Sequence, residues 1–354
     1  MTKFVLLLVL SFVFFSTNAQ RKDSSENRLL MQFEESSFTG TLPVKEPNVI
    51  DCRFDTTKIG NLKKRKKDFK LVMKEGLAAT IQQLLNKSCN ERSSDQSLLV
   101  VIKRFWLREP SEADLKKLYR NDDRPHKPFW VESVKMDVYS ALAENYIPLF
   151  RLDSSYYIGD VRGGEALSTD ALNDCLARLQ KIDFEKVALA KTKLSRKAVD
   201  SFNRAPFQKA ILQNPDMQTG VFLTFADFLN NRVRYPDFDV ELGKEVDNLY
   251  LVNNGTRELL PRFWGFCDGK NYYIRSGKNF YALYRVGNAF EFTGALLANY
   301  LAPPQGHSLI PYKHNSMELG TTAANTGLNA LFFIGNRNFE PQTFQINMET
   351  GEVY

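Results

Sequence analysis

Apolar and polar positions alternate along this chain in two successive rhythms. In the first half, NVIDCRFDTTKIG (48–60) predicts a strand closed by Gly60, and LKKRKKD (62–68) a basic loop. A helix follows from about Asp68, with Leu77, Ile81, Leu84 and Leu85 on one stripe at helical spacing. SLLVVIKRFWLRE (97–109) is the clearest strand of this half. PSEADLKKLYRNDDRPHKP (110–128) predicts a short helix capped by Ser111 and a proline-bounded loop. FWVESVKMDVYSAL and YIPLFRLDSSYYI predict a hairpin turning near Glu144–Asn145. A helix capped near Ser168 then turns Leu172, Leu176 and Leu179 inward. The order β-α-β-β-β-α predicts an α+β domain over 47–191, with helices on one sheet face.

A charged bridge (186–216) leads to a second pattern, and the junction is placed near residue 192. Strands dominate 192–354: TGVFLTF, DFDVEL, NLYLV, then the aromatic run RFWGFCDGKNYYIRSGKNFYALYRVGNAFEF (262–292). Asp268-Gly269, Gly277-Lys278 and Gly287-Asn288 punctuate that run as two-residue hairpin turns, which predicts an antiparallel meander. Thr224 and Asp227 predict a capping box for the short helix FADFLNN. GTTAANTGLN (320–329) reads as a loop, ALFFIG and TFQINMETGEVY as closing strands. The fold class expected is α+β, an α+β domain followed by a strand-rich one.

The N-terminus changes the picture of where the chain works. Lys3, the apolar run Phe4–Phe15 and the small residues Thr17-Asn18-Ala19 form a tripartite secretory signal over 1–19, with the mature chain starting at Gln20. Residues 20–46 are polar and predict a flexible arm. No later stretch is long and apolar enough for a transmembrane helix. The expectation is an exported protein, periplasmic or secreted. A formal charge of +6 over 354 residues is mild, and argues against nucleic-acid binding.

Four cysteines in an exported chain invite disulfides. Cys52 opens a strand and Cys89 closes a helix running back against it, so a Cys52–Cys89 bridge is expected, stabilising by about 3–4 kcal/mol on the chain-entropy model. No such argument places Cys175 or Cys267.

Candidate chemistry is sparse. Cys267 stands at a hairpin shoulder with no histidine in a context that suggests pairing, so it reads as a strand residue and not a nucleophile. His126, His307 and His314 read as loop residues with no H-E-x-x-H or H-x-H spacing; the alternative is a metal site in which His307 and His314 converge with Glu318. Gly163-Gly164 lacks the further glycine and lysine of a phosphate loop. No catalytic residue, cofactor or metal is expected. Asp153, Asp160 and Glu165 are candidate acids for a hydrolase, read first as turn formers or ion-pair partners. The run Lys63-Lys64-Arg65-Lys66-Lys67 reads as a solvated face, and otherwise as a site for lipid phosphates or an acidic polymer.

Aromatic residues make up 12% of the chain and crowd the meander. Alternation forbids Tyr272 and Tyr273, or Phe280 and Tyr281, from sharing a face. One face packs the core. The other is either covered by the rest of the chain or left as a partner-binding patch built on Trp264, Tyr273, Tyr281 and Arg275.

With DCRFDTTKIG, GLAATIQQLL and LLVVIKRFWL in view, residues 48 to about 182 resemble the small α+β domains of periplasmic auxiliary lipoproteins of envelope transport machines. The resemblance rests on Asp51, Arg53, Ile59 and Gly60, and implies an envelope location. No cysteine stands at the cleavage point, so it does not extend to a lipid anchor. GVFLTFADFLNN and FWGFCDGKNYYI are similar to uncharacterised exported bacterial proteins, which implies no activity. The expected function is non-enzymatic binding of a protein or polymer partner of the cell envelope. The competing expectation is a hydrolase acting on an envelope or environmental polymer.

Overall fold

The computed structural model describes residues 27–33, 40–64, 67–89, 96–109, 130–158, 164–189, 192–213, 216–294 and 342–353. The fold is α+β. Its first unit is built around β5 (Ser97–Arg108), where the apolar runs Leu98–Ile102 and Phe105–Leu107 on either side of Lys103-Arg104 allow burial on both faces. β5 pairs antiparallel with β6 (Trp130–Leu142), β6 with β7 (Asn145–Ile158), and β7 with β8 (Leu194–Ser195). On its other edge β5 has two parallel partners in succession. β2 (Pro47–Asp51) lies along Leu98–Ile102, and β3 (Gly60–Lys64) meets it at Leu107. β3 turns into β4 (Lys67–Met73), and β1 (Arg28–Met31) lies parallel to β4.

A bulge sets the faces of this sheet. Ile102 opposes Met136 and Arg104 opposes Lys135, so Lys103 is an extra residue. Before it Leu98, Val100 and Ile102 point into the main core; after it Phe105 and Leu107 do, which strict alternation would forbid. That core is closed by α1 (Leu77–Ser88), through Leu77, Ile81 and Leu85, and by α2 (Gly164–Gln180), through Leu172, Leu176 and Leu179. The outer face is covered at one end by α4 (Arg196–Arg204), whose Val199 packs on Leu99, Val101 and Tyr139; a short α3 (Phe184–Ala188) precedes it.

Several expectations are corrected. Residues 48–60 are not one strand: the chain leaves the sheet after Asp51 and re-enters at Gly60. The basic run is not all loop: Lys63 and Lys64 end β3 and Lys67 begins β4, with Lys64 opposite Lys67, while Arg65 and Lys66 lie outside the described residues; Asp68 lies in β4, not at a helix start. The arm is partly ordered into the fold, since β1 joins the sheet and Leu42 and Val44 are wholly buried. Ser168 sits inside α2 rather than capping it, its hydroxyl donating to Glu132. β8 and α4 pack with the first unit, so its elements continue past residue 192. The Cys52–Cys89 bridge is not formed, and all four cysteines are free thiols. Cys52 continues the outward phase of β2 into the cluster around Leu99 and Val101, whereas Cys89 packs into the main core on the opposite face. The sheet lies between them. The signal segment, Ser111, His126, Asp160, Gly163, the 320–329 loop and ALFFIG lie outside the described residues.

The second unit layers one antiparallel sheet on another. The larger has the order β17 (Gln342–Ile346), β16 (Ala289–Gly294), β15 (Asn279–Val286), β14 (Tyr272–Ser276), β13 (Gly265–Cys267), β9 (Gly220–Phe222). The meander is present, with two-residue turns at Gly277-Lys278 and Gly287-Asn288. The turn at Asp268-Gly269 is longer than expected, because Cys267 opposes Tyr272 across four loop residues. Asp268 organises it, its Oδ1 accepting from the backbone N–H groups of Lys270 (2.8 Å) and Asn271 (2.7 Å), while Gly269 takes φ 87°. One face of this sheet packs Phe222, Trp264, Tyr272, Phe290 and Phe292 against α5 (Ala210–Gln213) and α6 (Phe225–Leu229). Thr224 caps α6 in the expected capping box with Asp227. The other face carries Phe266, Tyr273 and Phe280 and is covered by a three-stranded sheet, β10 (Phe238–Glu241), β11 (Asn248–Asn253) and β12 (Thr256–Leu259). The chain itself covers Phe266, Tyr273 and Phe280, whereas Tyr284 stays 50% exposed.

Candidate functional site

The bulge in β5 has a consequence on the outer face. Lys103 and Arg104, consecutive in sequence, both project there, and Trp106 follows two residues on. The neighbouring strands add Lys135 and Asp137 from β6, and Arg151 and Asp153 from β7. At one end Phe202 of α4 is 52% exposed, with Lys103 Nζ 4.1 Å and the Arg151 guanidinium 5.9 Å from its ring centre. At the other end the C-terminal segment Gln345–Glu349 crosses from the second unit and encloses a cleft of about 30 Å³. The loop Arg53–Asp55 and β5 residues Lys103–Trp106 form its remaining wall.

Every cation named at this cleft has a carboxylate partner. Arg53 Nη2 is 2.8 Å from Asp51 Oδ2, Lys103 Nζ 2.6 Å from Asp137 Oδ2, Arg104 Nη2 2.5 Å from Asp153 Oδ1, and Lys135 Nζ 2.6 Å from Glu349 Oε2. Arg151 Nε also donates to Asp137 Oδ1 at 2.5 Å. Burial pushes the Asp137 carboxyl up, but hydrogen bonds from Arg151 and Lys103 outweigh it and hold the group below its ordinary value. Two donors are left over. Arg104 Nε and Asn347 Nδ2 are buried without a hydrogen-bond partner among the described residues.

Behind the cleft the two units are joined by a buried polar cluster. Lys58, in the loop between β2 and β3, is 1% exposed and forms an ion pair with Glu291 of β16. Gln345 Nε2 donates to Asp55 Oδ2 at 3.0 Å and to Glu291 Oε1 at 3.1 Å, linking both units' carboxylates. Lys58 Nζ also donates to Asn61 Oδ1 at 3.0 Å and lies 5.7 Å from the Trp106 ring centre.

The residues proposed from sequence fall elsewhere. Trp264 is fully buried, stacked 4.4 Å from Phe228, and is a core residue; its place in a binding patch is corrected. Tyr273 is half-buried, stacked 4.7 Å from Phe266, with its hydroxyl donating to Asp268 Oδ2. Tyr281 is half-buried and stacked on Phe292. Arg275 lies over the Phe263 ring and donates to the carbonyls of Pro261 and Gly277. These residues hold the aromatic layers together. Cys267 is buried at a strand end, and burial pushes its thiol up despite a contact from the Gly269 N–H.

Of the candidate acids, Asp153 borders the outer face, whereas Glu165 sits in the first turn of α2 on the opposite side of the sheet, accepting from Gln32 N. The two are not brought together. His307, His314 and Glu318 lie outside the described residues. Among those described, no group of three or more His, Cys, Asp or Glu side chains is placed to hold a metal ion, and no helix is long and apolar enough to cross a membrane. Lys103, Arg104, Arg151, Phe202 and Asn347 were not singled out from sequence. The available signal was the adjacent pair Lys103-Arg104 inside a strand that is otherwise apolar, which marks a bulge. The chain matches no known protein family, no curated protein and no solved structure.

Proposed function

We propose that this chain is an exported, non-catalytic protein of the cell envelope that binds a protein or polymer partner through the outer face of its first sheet and the adjoining cleft. The observation that carries the reading is the grouping there of exposed Phe202 with Arg151 and Asp153, whose side chains are 46% and 47% exposed. Arginine and aromatic side chains contribute disproportionately to interface energy, and here a strand presents Arg151 and the helix α4 presents Phe202, so no backbone has to be ordered on binding. Export rests on the tripartite N-terminal sequence. Free thiols suit an oxidising compartment here because burial holds those of Cys89 and Cys175 protonated, at about 11 and about 12.

Photo-cross-linking in the native envelope tests the reading. A photoreactive phenylalanine analogue at position 202 is expected to capture a discrete partner, and one at position 257 is not. Capture at neither position, or release of fragments from envelope polymer by the purified protein, would contradict it. Mass spectrometry of the mature protein is expected to find Gln20 at its N-terminus; an intact Met1 would remove the export reading.

A further inference from the structure

We propose that Arg232 and Arg234, in the second unit, form a binding site for a tetrahedral oxyanion, the phosphoryl or sulfuryl group of a small ligand. The site goes beyond the binding reading above and does not depend on it. Both side chains meet at one atom. Arg232 donates to Asp227 Oδ1 from Nε at 2.9 Å and from Nη2 at 2.6 Å, and Arg234 donates to the same oxygen from Nε at 3.0 Å. The two guanidinium groups are therefore neighbours, gathered by a carboxylate whose side chain is 1% exposed. Their own side chains are 55% and 43% exposed, so solvent reaches the pair. The backbone beneath them is pinned. Arg232 N donates to the Asp227 carbonyl at 2.8 Å, Arg234 N to the Val221 carbonyl at 2.9 Å, and Val233 between them packs against the core of the second unit.

Charge and donor count choose the ligand. Asp227 Oδ2 also accepts from Thr224 N at 3.2 Å and Thr224 Oγ1 at 3.0 Å, so the carboxylate has no lone pair left for the remaining guanidinium hydrogens. Arg232 Nη1 and both terminal nitrogens of Arg234 have no hydrogen-bond partner among the described residues. Two cations share one carboxylate, and among those residues neither is ion-paired to a second. Burial pushes the Asp227 carboxyl up, but hydrogen bonds from Arg232 and Thr224 outweigh it and hold the group below its ordinary value. Asp227 therefore stays ionised at neutral pH, and one positive charge is in excess. A neutral ligand leaves that charge unmet. A carboxylate is filled by a single guanidinium fork, whereas a phosphoryl or sulfuryl group has oxygens to divide between two. Arg232 is fixed to Asp227 by two bonds; Arg234, held through Nε alone, keeps the freedom to turn its terminal nitrogens toward an ion seated on Arg232.

The test uses the mature protein labelled with ¹⁵N, titrated at constant ionic strength with sodium phosphate, sodium sulfate, sodium acetate and sodium chloride. The Nε–H resonances of Arg232 and Arg234 are expected to move saturably with phosphate or sulfate, and the tighter of the two identifies the source of the group. Arg234→Lys keeps the charge beside Asp227 but lacks the planar fork, and is expected to weaken binding about tenfold, as for loss of a charge-assisted bidentate contact, at an unchanged melting temperature. Arg257→Gln removes a similarly exposed arginine that has Asp239 and Glu241 as partners, and is expected to leave binding unchanged. If Arg234→Lys melts lower, the titration of the unsubstituted protein decides alone. Shifts that never saturate, or that chloride reproduces, would mean an adventitious ion only and overturn the inference. Equal saturation with acetate would overturn the tetrahedral assignment. Undiminished binding in Arg234→Lys would show that the pair serves only to neutralise Asp227.

Discussion

Glu132 is the residue whose chemistry departs furthest from its ordinary state. It is fully buried on the helix-facing side of β6, with one oxygen accepting from Ser168 Oγ at 3.0 Å and the other unpartnered among the described residues. Burial raises its pKa to about 8 from 4.5, the Ser168 bond opposing only in part. The folded state therefore keeps a proton that the unfolded chain releases, so stability is lost as pH rises from about 4.5 through about 8. Urea unfolding is expected to show a falling midpoint over that window, and Glu132→Gln to flatten it. An unchanged slope in the variant would contradict the assignment. The thiols make a second expectation at this scale. Burial protects Cys175 and Cys267, so neither is alkylated by iodoacetamide at pH 8 until the protein unfolds. Rapid labelling of native Cys267 would revive it as a nucleophile.

At the scale of elements, the residues DCRFDTTKIG explain how β5 serves two parallel partners. Arg53 holds Asp51 with bonds of 2.8–3.1 Å and reaches the carbonyl of Lys58 at 2.6 Å, fixing the excursion between β2 and β3. Ile59 anchors it in the core, and Gly60 allows the return: a Cβ there would stand 1.9 Å from the Leu107 carbonyl oxygen. Gly60→Ala is expected to destabilise by about 3 kcal/mol, at the upper end for overpacking because the obstacle is backbone. Chemical denaturation checks this, and a loss below about 1 kcal/mol would show that the strands separate freely.

Much at this scale was legible in the sequence. β5, the β6–β7 hairpin, the meander turns and the capping box carry short-range signals, namely alternation, glycine and a Thr-x-x-Asp spacing. What was not legible depended on partners distant in sequence. Lys63, Lys64 and Lys67 lie in paired strands because β4 finds β1 and β3, and the Cys52 side faces away from Cys89 because β2 is locked parallel to β5. The outer-face site was missed for a related reason. Lys103 and Arg104 become neighbours of Asp137 and Asp153 only after the bulge resets the phase of β5.

For the whole molecule, the buried cluster around Lys58 decides whether the two units act as one. Removing a single partner from such a pair leaves a buried carboxylate uncompensated, at a cost of about 3–5 kcal/mol. Lys58→Met is therefore expected to lower stability by that amount and to split one calorimetric transition into two. Adding Glu291→Gln is expected to recover part of the loss. A single unshifted transition in Lys58→Met would show that the interface contributes little.

The central claim is that the partner meets the outer face of the first sheet and that the aromatic layers of the second unit are structural. With the partner captured at position 202, its affinity for Phe202→Ala and Tyr273→Ala proteins, measured beside their melting temperatures, separates the two surfaces. Phe202 is exposed, so its truncation is expected to weaken binding about 10- to 30-fold with little change in melting. Tyr273 packs on Phe266, so its loss is expected to cost about 2–3 kcal/mol of stability at unchanged affinity. The opposite pattern, with affinity lost at Tyr273 and retained at Phe202, would contradict the account.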